Sequence, residues 1–235
     1  MLDKKKFYIN GEWVDPKNPN NLEVINPSTE EVCAIINLGS SDDTNYAVKA
    51  AKKAFDTWKE TSKEERLKLL KKLLTIYKAR WDDMTEAITT ELGCPKDWCS
   101  ANQTSSGAGH IEDFIKRLQD FNFEPGFDKG SVNHVIYEPI GVCGLITPWN
   151  WPINQIALKV IPAISTGCTM ILKPSEIAPL SAMLFAEMIH DAGFPAGVFN
   201  LVNGDGPGVG TDLSGHPEVD MVSFTGSTRA GKLIT

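Results

Sequence analysis

Two charged residues follow a short apolar run near the middle of the chain, where their side chains could bind a polar ligand. The apolar run 169–172 is followed directly by Lys173-Pro174-Ser175-Glu176. An ammonium donates hydrogen bonds and a carboxylate accepts them, so Lys173 and Glu176 together suit a diol such as a ribose. Charges beside a buried strand are costly unless they face a ligand or solvent. The same spacing also fits an exposed loop salt bridge, and both interpretations stay open at this point.

Asn150 is a second candidate for chemistry. It lies between two tryptophans, after an earlier apolar run at 142–147. A side-chain amide at a strand end could donate a hydrogen bond to a developing oxyanion, and losing one such donor costs about 10²–10³ in rate. Asparagine is equally common as a turn-forming residue, so the residue type alone does not decide between the two roles.

Two glycine-rich turns follow later apolar runs and could approach a phosphate. The first does not match GxGxxG, because Gly210 comes one position too early after Gly206 and Gly208. The second, 226–232, matches GxxxxGK, but Leu233 stands where a P-loop places the Ser or Thr that binds Mg²⁺. The sequence therefore argues against a nucleoside triphosphatase. Two interpretations of the second turn remain open: a helix N-terminus that binds a phosphate, or a helix N-terminus that is capped by its own chain.

Alternating strands and helices must position these residues. Apolar runs at 142–147, 169–172, 198–202 and 221–225 predict strands, with helices between them that end near Gly167 and at Ala192. Such continuous apolar runs are typical of strands buried on both faces in parallel sheets. We predict an α/β fold with a doubly wound, mostly parallel sheet, whose C-terminal strand edge is where ligands bind.

The first 140 residues predict short strands and helices that surround this sheet. Residues 7–14 (FYINGEWV) predict a hairpin with an Asn-Gly turn of type I′. Further predicted features are strands at 22–25 and 32–38, a helix with N-caps offered by Ser41, Asp42 and Asp43, a capping box at 62–65, a third helix ending at Gly93, a fourth at about 98–118, and a strand at 131–138 that could belong to a protruding hairpin.

Bulk composition excludes several function classes. The 235 residues are 42% apolar and 23% charged, and their net charge of −7 argues against nucleic acid or an anionic membrane surface as a partner. No apolar run approaches the ~20 residues that span a bilayer. The N-terminus lacks the apolar segment of a signal peptide. The five cysteines form no CxxC pair, which predicts no metal site and reduced thiols in a cytoplasmic protein.

Taken together, four motifs and their order resemble one known family. ITPWNWP, LKPSE, FNLVNGDGPGVG and SFTGSTRAGK, with FYINGEWV and EVINPST before them, are similar to the N-terminal part of the NAD(P)-dependent aldehyde dehydrogenase superfamily. The resemblance covers essentially the whole chain. It implies an atypical Rossmann-like domain, which would explain the missing GxGxxG. It divides the chain into N-terminal strands and helices of the cofactor domain (1–120), part of an oligomerisation hairpin (121–140) and the NAD-binding core (141–235).

The resemblance also implies roles for individual residues. Asn150 would contribute to an oxyanion hole, and Lys173 and Glu176 would hold the adenosine ribose, with Ser175 nearby. Glu176 favours NAD, because a 2′-phosphate would meet its charge, although NADP remains possible. The other implied cofactor contacts are Ile146, Thr147, Pro148 and Trp149 lining the site, Gly206, Pro207 and Gly210 flanking the adenine, and Phe224, Thr225, Gly226 and Ser227 near the pyrophosphate and nicotinamide.

The implied activity is oxidation of a small-molecule aldehyde to a carboxylic acid, with NAD as hydride acceptor. A homo-oligomer, dimer or tetramer, is expected for the complete enzyme. The family's nucleophilic cysteine and general-base glutamate lie in downstream motifs that this chain does not contain, and none of its five cysteines has a matching context. Two hypotheses follow: the chain is the N-terminal portion of such an enzyme, or it is a truncated NAD-binding chain without turnover of its own.

Overall fold

The computed structural model describes residues 1–125, 133 and 135–235. Within them the strands are β1 (Leu2–Asp3), β2 (Phe7–Ile9), β3 (Glu12–Val14), β4 (Asn21–Asn26), β5 (Glu31–Asn37), β6 (Val142–Ile146), β7 (Thr169–Lys173), β8 (Phe199–Leu201) and β9 (Met221–Phe224). The α-helices are α1 (Ser41–Trp58), α2 (Lys63–Ala79), α3 (Trp81–Leu92), α4 (Lys96–Trp98), α5 (Ser105–Asp120), α6 (Pro152–Thr166), α7 (Leu180–Ala192), α8 (Thr211–Gly215) and α9 (Thr228–Ile234).

The central sheet has the strand order β3-β2-β8-β7-β6-β9. Strands β8, β7, β6 and β9 are parallel, as predicted. The chain runs from β6 outward to β7 and β8, then returns to place β9 on the other side of β6. This reversal creates a switch point between β6 and β9, where open α/β sheets bind ligands. The prediction of a doubly wound, Rossmann-like parallel sheet is therefore confirmed.

Burial on both faces explains why the core strands are continuously apolar. Along β6, Cys143 and Leu145 face the core shared with α6 and α7. Val142 faces the opposite side, where the small residues Ala47 and Ala51 let α1 pack closely. Neighbouring side chains of a strand alternate between the two layers, so no position in these strands can be polar without a partner.

The N-terminal hairpin extends the sheet at its other edge. Asn10 and Gly11 have φ values of 54° and 82°, which the Asn-Gly turn requires. Tyr8 of β2 pairs with Leu201 of β8 in the antiparallel sense, so the hairpin covers the edge that β8 would otherwise expose. Strands β1, β5 and β4 form a separate three-stranded sheet.

One predicted helix cap is wrong and one predicted helix is interrupted, each for a local reason. The cap of α1 is Ser40, not Ser41, Asp42 or Asp43, because Ser40 and Asp43 form a reciprocal capping box one residue earlier. The fourth predicted helix does not run unbroken from residue 98. A π-helical turn, Cys99–Thr104, precedes α5, and the Tyr77 hydroxyl donates to the Thr104 carbonyl at 2.8 Å at its end. The capping box at 62–65 is confirmed.

The predicted strand at 131–138 lies partly outside the described residues. Those of its residues that are described, Asn133 and 135–138, form no strand. The Tyr137 amide instead donates to the Phe123 carbonyl at 2.8 Å, and the Tyr137 ring contacts Phe121. Tyr137 thus packs on the aromatic loop after α5, which contains Phe121 and Phe123. Its assignment to an oligomerisation hairpin stays a prediction.

Throughout the described ranges, every helix is too short or too polar to cross a lipid bilayer.

Candidate cofactor-binding site

The predicted site residues lie after the C-terminal ends of the four parallel strands. Ile146, the last residue of β6, is in register with Lys173 of β7 on one side and Phe224 of β9 on the other. Leu172 is in register with Leu201 of β8. The turns that follow the four strands therefore leave the sheet at one common edge. The sequence predicted that these residues follow the strands, and the strand register brings the ends of the four strands together.

Lys173 is the most deeply buried charged group at this edge. Its side chain is only 4% exposed, whereas that of Glu176 is 30% exposed. The Lys173 ammonium donates to the Pro174 carbonyl at 3.0 Å and to Glu176 Oε2 at 3.3 Å. Burial lowers the pKa of Lys173, and the negative charges of Glu176 and Asp205 oppose that effect. The pair is thus a salt bridge, but not the exposed loop salt bridge that the spacing also allowed.

The hydrogen bonds of this pair leave groups free for a ligand. An ammonium has three donors, and only two of those of Lys173 have partners among the described residues. No group among the described residues donates a hydrogen bond to Glu176 Oε1. One donor and one acceptor side by side match the two hydroxyls of a diol. Ser175, which is itself buried, faces its own loop, where its hydroxyl accepts from the Ile177 amide at 3.4 Å.

The turn after β6 combines one buried and several exposed residues. The Thr147 amide donates to the Lys173 carbonyl at 3.2 Å, while the buried Thr147 hydroxyl has no partner among the described groups. Beyond Pro148, Trp149 and Asn150 are exposed. The Asn150 carbonyl accepts from Gln103 Nε2 at 3.4 Å, but its side-chain amide has no described partner. An exposed, unpaired amide is available to a reacting group and does not hold the turn together.

The glycine-rich turn after β8 packs against the lysine. It forms a π-helical segment, Gly206–Gly210, capped by Asp205, whose Oδ1 accepts from the Gly208 amide at 2.7 Å. A Cβ on Gly210 would lie 3.9 Å from Lys173 Cδ, so glycine brings this backbone close to the lysine stem. Gly206 and Pro207 are exposed at the tip. The sequence prediction did not include Asp205, although Asp before Gly-Pro is a recognisable cap.

The turn after β9 lies beside the switch point. The Thr225 amide donates to the Ile146 carbonyl at 3.1 Å, which joins this turn to the end of β6. A side chain at Gly226 would collide with the Phe224 ring. The Ser227 hydroxyl accepts from the Ala230 amide at 3.2 Å and caps α9. Within the described residues, the helix start at 227 is therefore capped by its own chain, and its contact with a phosphate stays a prediction.

None of the five cysteines stands at this edge with the properties of a nucleophile. Cys143 and Cys168 are buried near the N-terminal ends of β6 and β7, about 10 Å and about 17 Å of strand away from the ligand edge. The neighbouring Cys143 thiol is the largest cause that lowers the pKa of Cys168 to about 6, but burial withholds that thiolate from a substrate. Burial raises the pKa of Cys99 to about 12. Cys33 and Cys94 are half-buried outside the parallel sheet.

Comparison with known proteins identifies the family. The sequence model of the aldehyde dehydrogenase family matches residues 13–235, nearly the whole chain. The chain belongs to the aldehyde dehydrogenase family. A 3-succinoylsemialdehyde-pyridine dehydrogenase from a Pseudomonas species is 52% identical over all of this chain and 49% of its own length. The chain thus spans about half the length of the curated relatives it matches, as expected for an N-terminal portion of an aldehyde dehydrogenase.

Solved aldehyde dehydrogenases share the fold. One from Bartonella henselae superposes with a TM-score of 0.98 at 58% identity, over 100% of this chain and 49% of that one. A variant of aldehyde dehydrogenase C from Pseudomonas syringae, solved with NAD⁺ and octanal, superposes with a TM-score of 0.94 at 46% identity. The match covers 98% of this chain and 47% of that one. A Staphylococcus aureus betaine aldehyde dehydrogenase, solved with NAD⁺, superposes with a TM-score of 0.93 at 34% identity. The match covers 98% of this chain and 46% of that one.

Proposed function

We propose that this chain is the NAD-binding portion of an enzyme that oxidises an aldehyde to a carboxylic acid. The observation that carries the proposal is the buried Lys173 paired with Glu176 at the ligand edge of a doubly wound sheet. Family membership supports the reaction class, and two structural relatives solved with NAD⁺ support the cofactor. The cofactor residues named from the sequence remain part of this proposal.

The groups at the edge fit a dinucleotide. The free donor of Lys173 and the free acceptor of Glu176 suit the two ribose hydroxyls. The unpaired Thr147 hydroxyl is a buried polar atom that a ligand would satisfy. Gly206 and Pro207 present a surface without long side chains, which would let an adenine ring lie against it. Bound NAD would supply the hydride acceptor of the reaction.

Asn150 would act on the aldehyde oxygen. Its amide is exposed and unpaired among the described residues, and it lies in the turn that follows β6. A donor fixed there before reaction stabilises negative charge as it develops on the oxygen. The cysteine thiolate that must attack the carbonyl is not supplied by any of the five cysteines, because each is buried, half-buried or remote from this edge.

Glu176 makes NAD the preferred cofactor. A carboxylate that accepts from a ribose 2′-hydroxyl would repel a phosphate at the same position. NADP would bind only where that repulsion is relieved by a shift of the half-buried Glu176 side chain.

A second candidate function has its own observation. With no accessible cysteine at the ligand edge, the 235-residue chain would bind NAD and turn nothing over. The two candidates share a binding site and differ only in chemistry.

One experiment on the purified 235-residue chain tests both. Calorimetry would measure NAD binding, and NADH absorbance would follow turnover with octanal as the probe aldehyde. We expect NAD to bind, and Lys173→Ala to weaken it about tenfold through loss of a charged hydrogen bond. We expect no NADH from this chain. Absence of NAD binding by a folded chain would refute the cofactor site, and NADH formation would refute the inactive-chain candidate.

A homo-oligomer in the cytoplasm completes the proposal. Ile136, Tyr137 and Ile140 expose apolar surface after the aromatic loop, which supports a subunit contact formed by part of 121–140. All five cysteines are free thiols, which supports a reducing compartment. Light scattering coupled to size-exclusion chromatography would test the first point, and a monomer at all concentrations would contradict it.

A further inference from the structure

Glu91 is a buried carboxylate that the proposed reaction does not use. It lies in the last turn of α3 and is only 2% exposed. Among the described residues it forms no salt bridge with any Lys, Arg or His. A buried carboxylate without a countercharge is costly and calls for hydrogen bonds that compensate for lost hydration.

The partners of Glu91 belong to another helix. Its Oε2 accepts from the Leu180 amide, and its Oε1 accepts from the Ser181 amide at 3.2 Å. These are the first two residues of α7. The residue before them, Pro179, provides no side-chain cap. The four amides that open a helix have no partner within it, so Glu91 caps α7 from a distance of about 90 residues in sequence.

Electrostatics indicates that this contact serves α7 and not α3. A negative charge in the last turn of α3 opposes that helix's dipole, while the same charge at the start of α7 complements it. Burial raises the pKa of Glu91 to about 7, although the amides of α7 act to lower it. The carboxylate therefore occupies a position that is unfavourable for its own helix and favourable only for the helix it caps.

The capped end of α7 also ends the loop that carries the ribose-binding pair. Six residues, 174–179, separate Lys173 from Leu180. Within the loop, the Ala178 amide donates to the Ser175 carbonyl at 3.2 Å. At one end Lys173 is fixed by its pairing in β7, and at the other Leu180 is fixed by Glu91. A loop this short, held at both ends, has little freedom to displace the backbone of Glu176.

We propose that Glu91 is a positioning residue for the adenosine-ribose half of the cofactor site, acting through the start of α7 on the loop 174–179. The inference rests on the proposed NAD site and adds to it a residue from the N-terminal helices. It distinguishes Glu91 from a group that only stabilises the fold, because a positioning role affects one half of the dinucleotide and spares the other.

The test compares two fragments of the cofactor on the purified chain. ADP-ribose contains the adenosine ribose, and nicotinamide mononucleotide does not. At pH 8, we expect Glu91→Gln to raise the dissociation constant for ADP-ribose about tenfold, the cost of one charged hydrogen bond. The constant for nicotinamide mononucleotide should change less than twofold. Glu91→Asp, which keeps the charge on a shorter side chain, should restore part of the ADP-ribose affinity.

Glu187→Gln is the matched control. Glu187 also joins α7 to the N-terminal helices, through Arg80 at 3.0 Å, but it lies nearly two turns into the helix. This variant should leave both dissociation constants unchanged. On the wild-type chain, ADP-ribose should slow hydrogen exchange at the Leu180 and Ser181 amides, and nicotinamide mononucleotide should not.

Three outcomes would overturn the inference. Equal weakening of both fragments by Glu91→Gln would mark a purely structural role. Unchanged ADP-ribose affinity in a folded variant would separate Glu91 from the site. If Glu91→Gln does not fold, the hydrogen-exchange measurement on the wild-type chain decides. Exchange at the Leu180 and Ser181 amides that ADP-ribose does not slow would contradict the inference. A wild-type chain that binds neither NAD nor ADP-ribose would refute the proposed function as well, which distinguishes that failure from the other three.

Discussion

The ammonium of Lys173 lies 3.3 Å from the carboxylate of Glu176, and the two side chains have very different access to solvent. The lysine is enclosed by strand β7 and the glycine-rich turn at Gly210, while the glutamate reaches outward from the following loop. The fixed charge of the pair is therefore the lysine, and the adjustable one is the glutamate. Cofactor selectivity should depend on the adjustable partner.

Glu176→Gln should shift the cofactor preference toward NADP. The amide keeps the size of the side chain and removes the charge that a 2′-phosphate would meet, so the ratio of NADP to NAD affinity should rise about tenfold, or about 1.4 kcal/mol. Calorimetric titration of the purified chain with both cofactors measures the ratio. Glu187→Gln, a distant loss of the same charge, should leave the ratio unchanged. An unchanged ratio in Glu176→Gln would remove this residue from the ribose site.

Asn150→Ala should leave the fold intact. The side-chain amide has no hydrogen-bond partner among the described residues, so the free energy of unfolding should change by less than about 0.5 kcal/mol. Binding of ADP-ribose should also stay the same, because the amide would face the aldehyde and not the ribose. Urea denaturation and calorimetry measure the two quantities. A loss of more than about 1 kcal/mol would support the turn-forming role that the sequence left open.

Gly141→Ala should destabilise the sheet where β6 and β9 begin, at the edge opposite the ligand site. Gly141 precedes β6 with a φ of 130°, and a Cβ there would collide with the Asp220 carboxylate. That carboxylate accepts from the Val142 amide at 2.8 Å and joins the starts of β6 and β9. We expect a loss of about 2–4 kcal/mol in the free energy of unfolding, from strain and from the displaced carboxylate.

Gly109→Ala provides the comparison for this measurement. Gly109 lies exposed within α5, and a Cβ there would have no atom within 4 Å. Alanine should therefore stabilise the helix by about 0.5–1 kcal/mol. Equal effects at the two glycines would show that the collision at Asp220 does not determine the response.

Glu91 should make stability depend on pH. Burial raises its pKa in the folded chain from 4.5 to about 7, so the folded state favours the protonated form. The stabilisation is complete below pH 4.5 and is lost as the pH rises to 7, an expected difference of about 3 kcal/mol. Denaturation at a series of pH values would measure this for the wild type and Glu91→Gln. The difference in the free energy of unfolding between the two proteins should change between pH 4.5 and about 7 and stay constant at higher pH.

The parallel sheet was predictable because its strands are buried on both faces. Continuous apolar runs located β6, β7, β8 and β9 to within a residue or two at each end, and α7 ends at Ala192 as predicted. The Asn-Gly turn was predictable for the same kind of reason, since few dipeptides accept positive φ at both positions. In each case a local property of the sequence dictates the structure.

Other features depend on contacts between distant segments. The sequence does not reveal that Lys173 is buried, because that depends on the turn after β8 covering its stem. It does not reveal that Glu91 caps α7, because acidic residues in a last helical turn are usually solvated. The π-helical turn before α5 also escaped prediction, and the Thr104 carbonyl at its end accepts a hydrogen bond from Tyr77 of another helix.

The pairing of β2 with β8 has a consequence for how the chain folds. The Asn10 amide donates to the Asn200 side chain at 2.9 Å, across a sequence separation of 190 residues. Closing so long a loop costs chain entropy before any contact compensates for it, and such non-local pairings slow folding. During synthesis the hairpin leaves the ribosome first but must wait for β8 before it can join the sheet. In a pulse-labelling experiment, the Asn10 amide should gain protection together with β8 and later than α1, so that the first strands translated are among the last to be assembled.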